Sequence, residues 1–129
     1  MAPVNIPEVQ AELEAAFACY EAALLANDIE TLNRLFWDSA LTLRYGLHDM
    51  QYSHDEIARF RRERGAIAQQ RTLRNTHVTT FGQDYGVANT EFIRQGTNRL
   101  GRQSQTWVRT DDGWKIVAAH VSFLEKAER

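Results

Sequence analysis

Apolar residues in the first part of the chain recur at spacings of three and four, the period of an amphipathic helix. The stripe consists of Val9, Leu13, Phe17, Tyr20 and Leu24. Pro7 suits the first turn of this helix, and Asn27-Asp28 ends it. Because Asp28 is also a favourable N-cap, the pattern predicts a second helix that continues to about Trp37.

The segment YSHDEIARFRRER, residues 52–64, predicts a third helix. Ser53 and Glu56 have the spacing of a capping box, in which each side chain satisfies a free backbone N–H of the first turn. Ile57 and Phe60 are expected to face the protein interior. Gly65 follows and predicts that the helix ends near Arg64.

The rest of the chain alternates with a period of two, which indicates strands. The predicted strands are 40–46, 73–81, 86–94, 102–109 and 114–123. Glycine-containing turns join the last four into an antiparallel meander. Helices first and strands afterwards predict an α+β fold, with a curved antiparallel sheet wrapped on N-terminal helices. The 129 residues suit one domain, 1–129.

The last predicted hairpin carries many polar residues for a sheet that packs under helices. A regular register around its Thr-Asp-Asp-Gly turn places Ser104 and Thr106 on the face toward the helices and a cavity. Gln103, Gln105 and His120 then face outward, toward a second subunit. A β-bulge would exchange the two faces, so His120 remains a candidate for the site.

Tyr20 and Arg44 are polar residues on faces that are expected to be buried. The Tyr20 hydroxyl bonds either a core carbonyl or a ligand in a pocket. Arg44 lies in the middle of a strand, and a buried guanidinium is costly unless it is paired. Its partner is a carboxylate from elsewhere in the fold or from a ligand, unless Arg44 is exposed or lies in a dimer interface.

Three further residues are candidates for the lining of the same pocket. Arg94 closes a strand and raises the same question as Arg44. Arg71 lies at the entry to the first long strand, where it binds a ligand or is simply solvated. Trp37 either walls the pocket or plugs the core.

Composition and motifs restrict the class of protein. A net charge of −2 and few lysines do not match a nucleic-acid-binding domain. No apolar run is long enough to span a membrane, and the first residues do not have the pattern of a signal peptide, so a cytoplasmic location is expected. A single cysteine excludes an internal disulfide. Motifs for metals, dinucleotides, phosphate loops and serine hydrolases are absent, so no metal or cofactor is expected.

Five stretches of the chain resemble the AtzH-like family, which includes the oxalurate-catabolism protein HpxZ, within the nuclear transport factor 2-like (SnoaL-like) superfamily. They are YEAALLANDIETLNRLFW, TLRYG, IARFRRER, TTFG and GRQSQTWVRTDDGWKIVAAHVS. The resemblance covers nearly the whole chain, and GRQSQTWVR is its most specific part. It implies a cone-shaped α+β barrel with a pocket between the first helix and the sheet, and a homodimer formed through the outer face of the sheet.

The resemblance also implies a role in ureide or s-triazine nitrogen catabolism. The substrate is then a small, anionic, N-carboxylated or oxalylated urea, and the reaction is a decarboxylating hydrolysis. The family's pocket pair corresponds to Tyr20 and Arg44 as catalytic residues, with Trp37, Arg71, Arg94, Ser104 and His120 as substrate-binding candidates. A non-catalytic protein that binds a small carboxylate beside a true amidase is the alternative. An isomerase of the ketosteroid type is less favoured, because no carboxylate is clearly placed on an inward face.

Overall fold

The computed structural model of the protein describes residues 2–65 and 70–124. Its helices are α1 (Pro7–Ala26), α2 (Ile29–Leu35) and α3 (His54–Arg64). Its strands are β1 (Leu43–Tyr45), β2 (Met50–Tyr52), β3 (Arg71–Phe81), β4 (Tyr85–Arg94), β5 (Leu100–Thr110) and β6 (Gly113–Phe123). The predicted order of helices and strands is therefore confirmed, with β2 as an additional strand.

The helix boundaries follow from the capping residues that the sequence supplies. Asn27 ends α1 in the left-handed conformation, and the Asp28 carboxylate accepts a hydrogen bond of 3.2 Å from the Thr31 backbone N–H. Ser53 caps α3 by accepting a 3.1 Å bond from the Glu56 N–H. The second helix is shorter than predicted. It ends before Trp37 because the Trp37 N–H donates to a β6 carbonyl instead of continuing the helix.

The six strands form one sheet in the order β2-β1-β6-β5-β4-β3. The last four strands form the predicted antiparallel meander. The sheet as a whole is not antiparallel, however, because β1 pairs with β6 in parallel. Nor is it closed into a barrel, since β2 and β3 are the two edges among the described strands.

A β-bulge in the last hairpin decides which side chains face the helices. Thr106 pairs with Ala118, but the next residue, Trp107, pairs with Ile116, so β6 contains one extra residue at this point. Beyond the extra residue, Ala119 and Val121 of β6 therefore share a face with Gln105 and Gln103 of β5, and not with Ser104 and Thr106 as a regular register predicts. Gln105 and Trp107 are buried under the helices, whereas Ser104 and Thr106 are exposed on the outer face.

The hydrophobic core lies between the helices and the inner face of the sheet. Its members come from all three helices and from the long strands, and include Leu13, Phe17, Leu32, Phe36, Ile57, Trp107 and Ile116. This core fills one end of the space, and the other end stays open as a cavity. Among the described residues, no helix is both long and apolar enough to cross a membrane.

Candidate functional site

A cavity of about 410 Å³ lies between α1, α3 and the inner face of the sheet. This volume is in the range of small-molecule sites. Six arginines of the described residues, from five different parts of the chain, line the cavity: Arg44, Arg61, Arg64, Arg71, Arg94 and Arg99. Such a concentration of guanidinium groups indicates an anionic ligand.

Arg44 belongs to a closed hydrogen-bonded group at one side of the cavity. Its Nη1 donates to Asp49 Oδ1 at 2.8 Å and to Gln51 Oε1 at 2.9 Å, and Gln51 Nε2 donates back to Asp49 Oδ1. Burial by itself raises the pKa of Asp49, but the bond from Gln51 and the charge of Arg44 outweigh burial and lower it. The carboxylate that Arg44 requires thus comes from the turn between β1 and β2, which the sequence analysis did not identify.

Arg71 is held firmly at the opposite wall. Its Nε and Nη2 donate to the two carboxylate oxygens of Glu21 on α1, at 2.9 and 2.7 Å, and Nη2 also donates to Gln103. The guanidinium lies 4.5 Å from the centre of the Phe92 ring. Arg71 is therefore part of the cavity wall rather than a solvated residue, and Glu21 balances its charge.

Arg61 and Arg64 bring two charges from α3 that the sequence analysis missed. Arg61 is only 2% exposed, and its Nε and Nη2 have no hydrogen-bond partner among the described residues. Burial lowers the pKa of Arg61, as does repulsion by Arg44 and Arg64, while the Tyr20 hydroxyl raises it by attraction and hydrogen bonding. The helical period could have indicated these two arginines, because positions 61 and 64 lie on the same face of α3 as the inward-facing Ile57.

Arg94 and Arg99 lie at the Phe123 side of the cavity. Their guanidinium carbons are 5.3 and 4.4 Å from the centre of the Phe123 ring. The Nε of Arg94 is buried without a partner in the described part of the chain. Burial lowers the pKa of Arg94, and repulsion by Arg71 and Arg64 lowers it further. This side of the cavity thus also contains charge that no described carboxylate balances.

Two glutamines of β5 add neutral donors to the cavity floor. The Gln103 side-chain oxygen accepts from Arg71 at 3.1 Å, and the Gln105 oxygen accepts from Trp107 Nε1 at 3.1 Å. These two bonds fix the orientation of both amides. Their Nε2 atoms are buried and without partners among the described residues. Each glutamine therefore presents an unused donor to the cavity, although the sequence analysis predicted that both face outward.

Tyr20 reaches the same cavity from the buried face of α1. Its side chain is 6% exposed, and its ring packs edge-to-face against Phe36 with the centroids 6.3 Å apart. Its hydroxyl partly offsets the lowering of the pKa of both Arg61 and Arg64. The expectation that Tyr20 and Arg44 line a common cavity is met.

Three of the predicted site residues do not lie in the interior of this cavity. Ser104 is exposed on the outer face of the sheet, so the prediction that it faces the cavity is wrong: the bulge in β6 pairs the cavity-lining Ala119 and Val121 with Gln105 and Gln103, and Ser104 lies on the opposite face. Trp37 lines a separate cleft beside α2 and β6. His120 is exposed and contacts the Tyr45 ring at 5.5 Å between centroids, which places it at the rim.

One group of metal-ligating residue types occurs in the described part of the chain. Asp38, His54 and Asp55 could place one ligand atom each within 4.8 Å of the others. Both aspartates are exposed, and none of the three lines the cavity. Exposed acidic residues of this kind are common on protein surfaces, so the candidate site remains the arginine-lined cavity.

Among the described residues, the buried side-chain polar atoms of the cavity lining that have no partner are all donors. They are Arg61 Nε and Nη2, Arg64 Nε, Arg94 Nε, Gln103 Nε2 and Gln105 Nε2. Buried polar groups are normally satisfied, and a group that is not costs free energy. A ligand rich in acceptor oxygens, such as a carboxylate or a urea carbonyl, would satisfy these donors.

Comparisons with known proteins agree with this architecture. A protein of unknown function from the DUF3225 family of Pectobacterium atrosepticum SCRI1043 is 48% identical, with a TM-score of 0.92 and 95% of each chain covered. A cystatin-like fold protein from Burkholderia xenovorans LB400 is 45% identical, with a TM-score of 0.92; the match covers 98% of this chain and 99% of that one. A nuclear transport factor 2-like superfamily protein from Salmonella enterica, 20% identical with a TM-score of 0.76 over 94% of each chain, shares the fold.

None of the curated proteins compared with the chain matches it. The model of one protein family, described as AtzH-like, matches residues 2–127. The match extends over nearly the whole chain and contains every residue that lines the cavity. The chain therefore belongs to the AtzH-like family.

Proposed function

We propose that the protein is an amidohydrolase that acts on small N-carboxylated or oxalylated ureas and releases carbon dioxide. The observation that carries this proposal is the convergence of Tyr20, Arg44 and a set of unpartnered donors on one cavity. Membership of the AtzH-like family agrees with it. The reaction requires neither a metal nor an organic cofactor, because the side chains themselves supply a proton and positive charge.

Binding follows from the match between donors and acceptors. A carboxylated urea has acceptor oxygens on its carboxylate and on its central carbonyl. Gln103 and Gln105 can donate to the carbonyl, while the guanidinium groups bind the carboxylate. The urea is planar and has no large apolar part, which suits a cavity whose walls combine arginines with Phe60, Phe92 and Phe123.

Tyr20 is the proposed proton donor. In an N-carboxylated urea, the bond between nitrogen and the carboxylate carbon breaks, and its electron pair stays on the nitrogen. The nitrogen takes the proton of the Tyr20 hydroxyl and carbon dioxide leaves. A water molecule then returns a proton to Tyr20, and the hydroxide that remains combines with the carbon dioxide to form bicarbonate. Arg61 and Arg44 stabilise the negative charge that is present on the phenolate and the substrate during this step.

A non-catalytic binding protein is the second candidate, and one observation favours it. Hydrolysis by direct attack of water requires a base, but Asp49, which lines the cavity, and Glu21, which holds Arg71 of the lining, are each bound to an arginine. Neither carboxylate is free to take a proton from water. A protein that holds a carboxylated urea and passes it to a separate amidase needs no such base.

Turnover of defined substrates distinguishes the two candidates. The purified protein is incubated with 1,3-dicarboxyurea, allophanate or oxalurate, and carbon dioxide and ammonia are followed. Tyr20→Phe and Arg44→Ala test the proposed residues, and exposed Tyr85→Phe and Arg102→Ala serve as matched controls. Turnover that both site variants abolish and both controls keep supports the enzyme. Binding of these compounds without any turnover refutes catalysis and supports the binding protein.

We also propose that the protein forms a homodimer through the outer face of the sheet. Tyr45, Met50 and Tyr52 are exposed on this face, and the two tyrosine rings contact each other. Exposed aromatic groups of this kind are common in subunit interfaces. Light scattering on a size-exclusion column measures the mass, and Tyr52→Glu is expected to convert the dimer to a monomer. A monomeric wild-type protein contradicts the proposal.

A further inference from the structure

We infer that Asp49 and Gln51 are positioning residues, which hold the Arg44 guanidinium so that one of its edges stays free for the substrate. This role rests on the proposed function, because Arg44 is one of the residues that stabilise charge in the proposed reaction. The orientation of Arg44 then depends on the turn between β1 and β2. Neither Asp49 nor Gln51 was selected from the sequence.

Asp49 and Gln51 bind the guanidinium of Arg44 through a single nitrogen. Nη1 donates to Asp49 Oδ1 at 2.8 Å and to Gln51 Oε1 at 2.9 Å. Gln51 Nε2 donates to the same Asp49 oxygen at 2.9 Å, so the three side chains form a closed ring of hydrogen bonds. The Phe60 ring packs against the guanidinium, with 5.1 Å between the guanidinium carbon and the ring centroid. A displacement of Nη1 would break two hydrogen bonds at once, which fixes its position.

The other two nitrogens of Arg44 remain unused. Nε and Nη2 form no hydrogen bond with another side chain or carbonyl of residues 2–65 and 70–124. In Arg71 the same two nitrogens donate to the Glu21 carboxylate. Two neighbouring N–H groups of a guanidinium match a planar group with two acceptors. Arg44 therefore keeps this edge for a substrate, whereas in Arg71 it is occupied.

The backbone of the turn leaves room for the pair of Arg44 and Asp49. The Gly46 N–H donates to the Asp49 carbonyl at 2.8 Å, and this bond closes the turn. A Cβ at Gly46 would overlap Asp49 Oδ1 and would lie 2.7 Å from Arg44 Nη1, so a side chain there would enter the space of the ion pair. Gln51 lies directly opposite Arg44 in the register of β1 and β2 and is only 5% exposed. Strand pairing and turn geometry thus both bring the two positioning residues to Arg44.

Positioning and simple electrostatics predict opposite effects of Asp49 on the binding of an anion. If only net charge matters, removal of a negative charge beside the cavity strengthens binding. If orientation matters, removal of the acceptor that holds Arg44 weakens it. Asp49→Asn removes the charge and keeps an acceptor oxygen, whereas Asp49→Ala removes both. The two variants therefore separate the effects.

Isothermal titration calorimetry with oxalurate measures binding in a Tyr20→Phe background, in which the proposed reaction lacks its proton donor. Asp49→Ala is expected to weaken binding about tenfold, close to the loss of one hydrogen bond to a charged group. Asp49→Asn should bind about as tightly as the parent protein or more tightly. Gly46→Ala keeps all three side chains but displaces them, so it should weaken binding as Asp49→Ala does. Asp111→Ala and Asp111→Asn, in an exposed turn, are matched controls that keep the parent affinity.

A double-mutant cycle shows whether Asp49 acts through Arg44. Arg44→Ala alone is expected to weaken oxalurate binding about tenfold to a hundredfold. Adding Asp49→Ala to this variant should cause no further loss, because no guanidinium is left to position. Melting temperatures verify that each variant is folded, and Gly46→Ala still provides the test if Asp49→Ala does not fold.

Crystal structures provide a second readout that needs no ligand. The Arg44 guanidinium is expected to occupy one position in the wild-type protein and to leave this position in Asp49→Ala. A guanidinium that stays in place in Asp49→Ala overturns the inference. Asp111→Ala should leave the guanidinium where it is.

Binding by Asp49→Ala as tight as that of the parent protein also overturns the inference, and so does an equal loss with and without Arg44. Lack of oxalurate binding by the Tyr20→Phe protein has the same consequence. None of these tests requires turnover, so failure of the inference is distinguishable from failure of the proposed function. A protein in which Asp49 orients Arg44 for oxalurate, but which releases no carbon dioxide, keeps the positioning residues and loses only the proposed enzyme activity.

Discussion

Replacing Arg61 by methionine is expected to make the protein more stable and less able to bind anions. Methionine is unbranched, has a similar length and removes only the charged group. The site is nearly inaccessible to water, and the guanidinium has no carboxylate partner among the described residues. The substitution therefore removes a buried charge that the empty protein does not compensate.

The magnitude follows from three opposing contributions. A buried charge costs several kcal/mol in effective desolvation. The contact with the Phe36 ring returns up to about 2 kcal/mol, and the nearby Tyr20 hydroxyl, which raises the pKa of Arg61, also favours the charged form. We expect the free energy of unfolding to rise by about 1–2 kcal/mol. For a chain of this length, this corresponds to an increase of about 4–8 °C in Tm.

Urea denaturation measures the free energy of unfolding, and a thermal melt measures Tm. Arg62→Met is the matched control, because Arg62 is exposed on the same helix and its replacement should change stability by less than about 0.5 kcal/mol. Oxalurate should raise the Tm of the wild-type protein and of this control, but not of Arg61→Met. A less stable Arg61→Met, beside an unaffected control, would refute the reasoning, because Arg61 would then be compensated within the empty protein.

Three further substitutions test other parts of the structure. Tyr20→Phe should lower kcat for the proposed substrate by about 10²–10³-fold with little change in substrate affinity, while the Tyr85→Phe control keeps full activity; unchanged kcat for Tyr20→Phe removes the proton donor from the mechanism. Although burial raises the pKa of Asp49, its hydrogen bonds lower it below the ordinary 3.8, so its stabilising effect is present above this pH and is lost as the pH falls through the lowered pKa. Stability measured by urea denaturation should therefore depend less on pH in the acid range for Asp49→Asn than for the wild-type protein, and parallel pH profiles contradict this. Gly101→Ala should cost about 1–3 kcal/mol of unfolding free energy, because a Cβ there would enter the ring of Phe92; a stability within experimental error of the wild type means that the ring can move aside.

The order of helices and strands was predictable because each follows from interactions between residues close in sequence. The Asp28 and Ser53 caps form within one turn, and they fix where α2 and α3 begin. The strand β2 was missed because three residues are too few to show a period of two. Trp37 does not belong to α2 as predicted, because its backbone N–H donates a hydrogen bond to β6, a strand far away in sequence.

Parts of the site were also visible in the sequence. Tyr20 lies on the apolar stripe of α1, and Arg44 lies at an inward position of its strand, so both were selected as polar residues on buried faces. Arg61 and Arg64 were not selected. Arginines in a strongly charged helix usually face water, and only the packing of α3 over the sheet brings these two into the cavity.

The sequence by itself determined the fold class, the helix caps and the meander, since these depend on local periodicity and turn chemistry. Only the tertiary structure decided which polar residues meet. One additional residue in β6 placed Ala119 and Val121 on the face of Gln103 and Gln105 instead of that of Ser104, and the turn between β1 and β2 supplied the carboxylate for Arg44. The physical reason is that burial and charge depend on neighbours distant in sequence, and a shift of one residue in strand register reverses every side chain that follows.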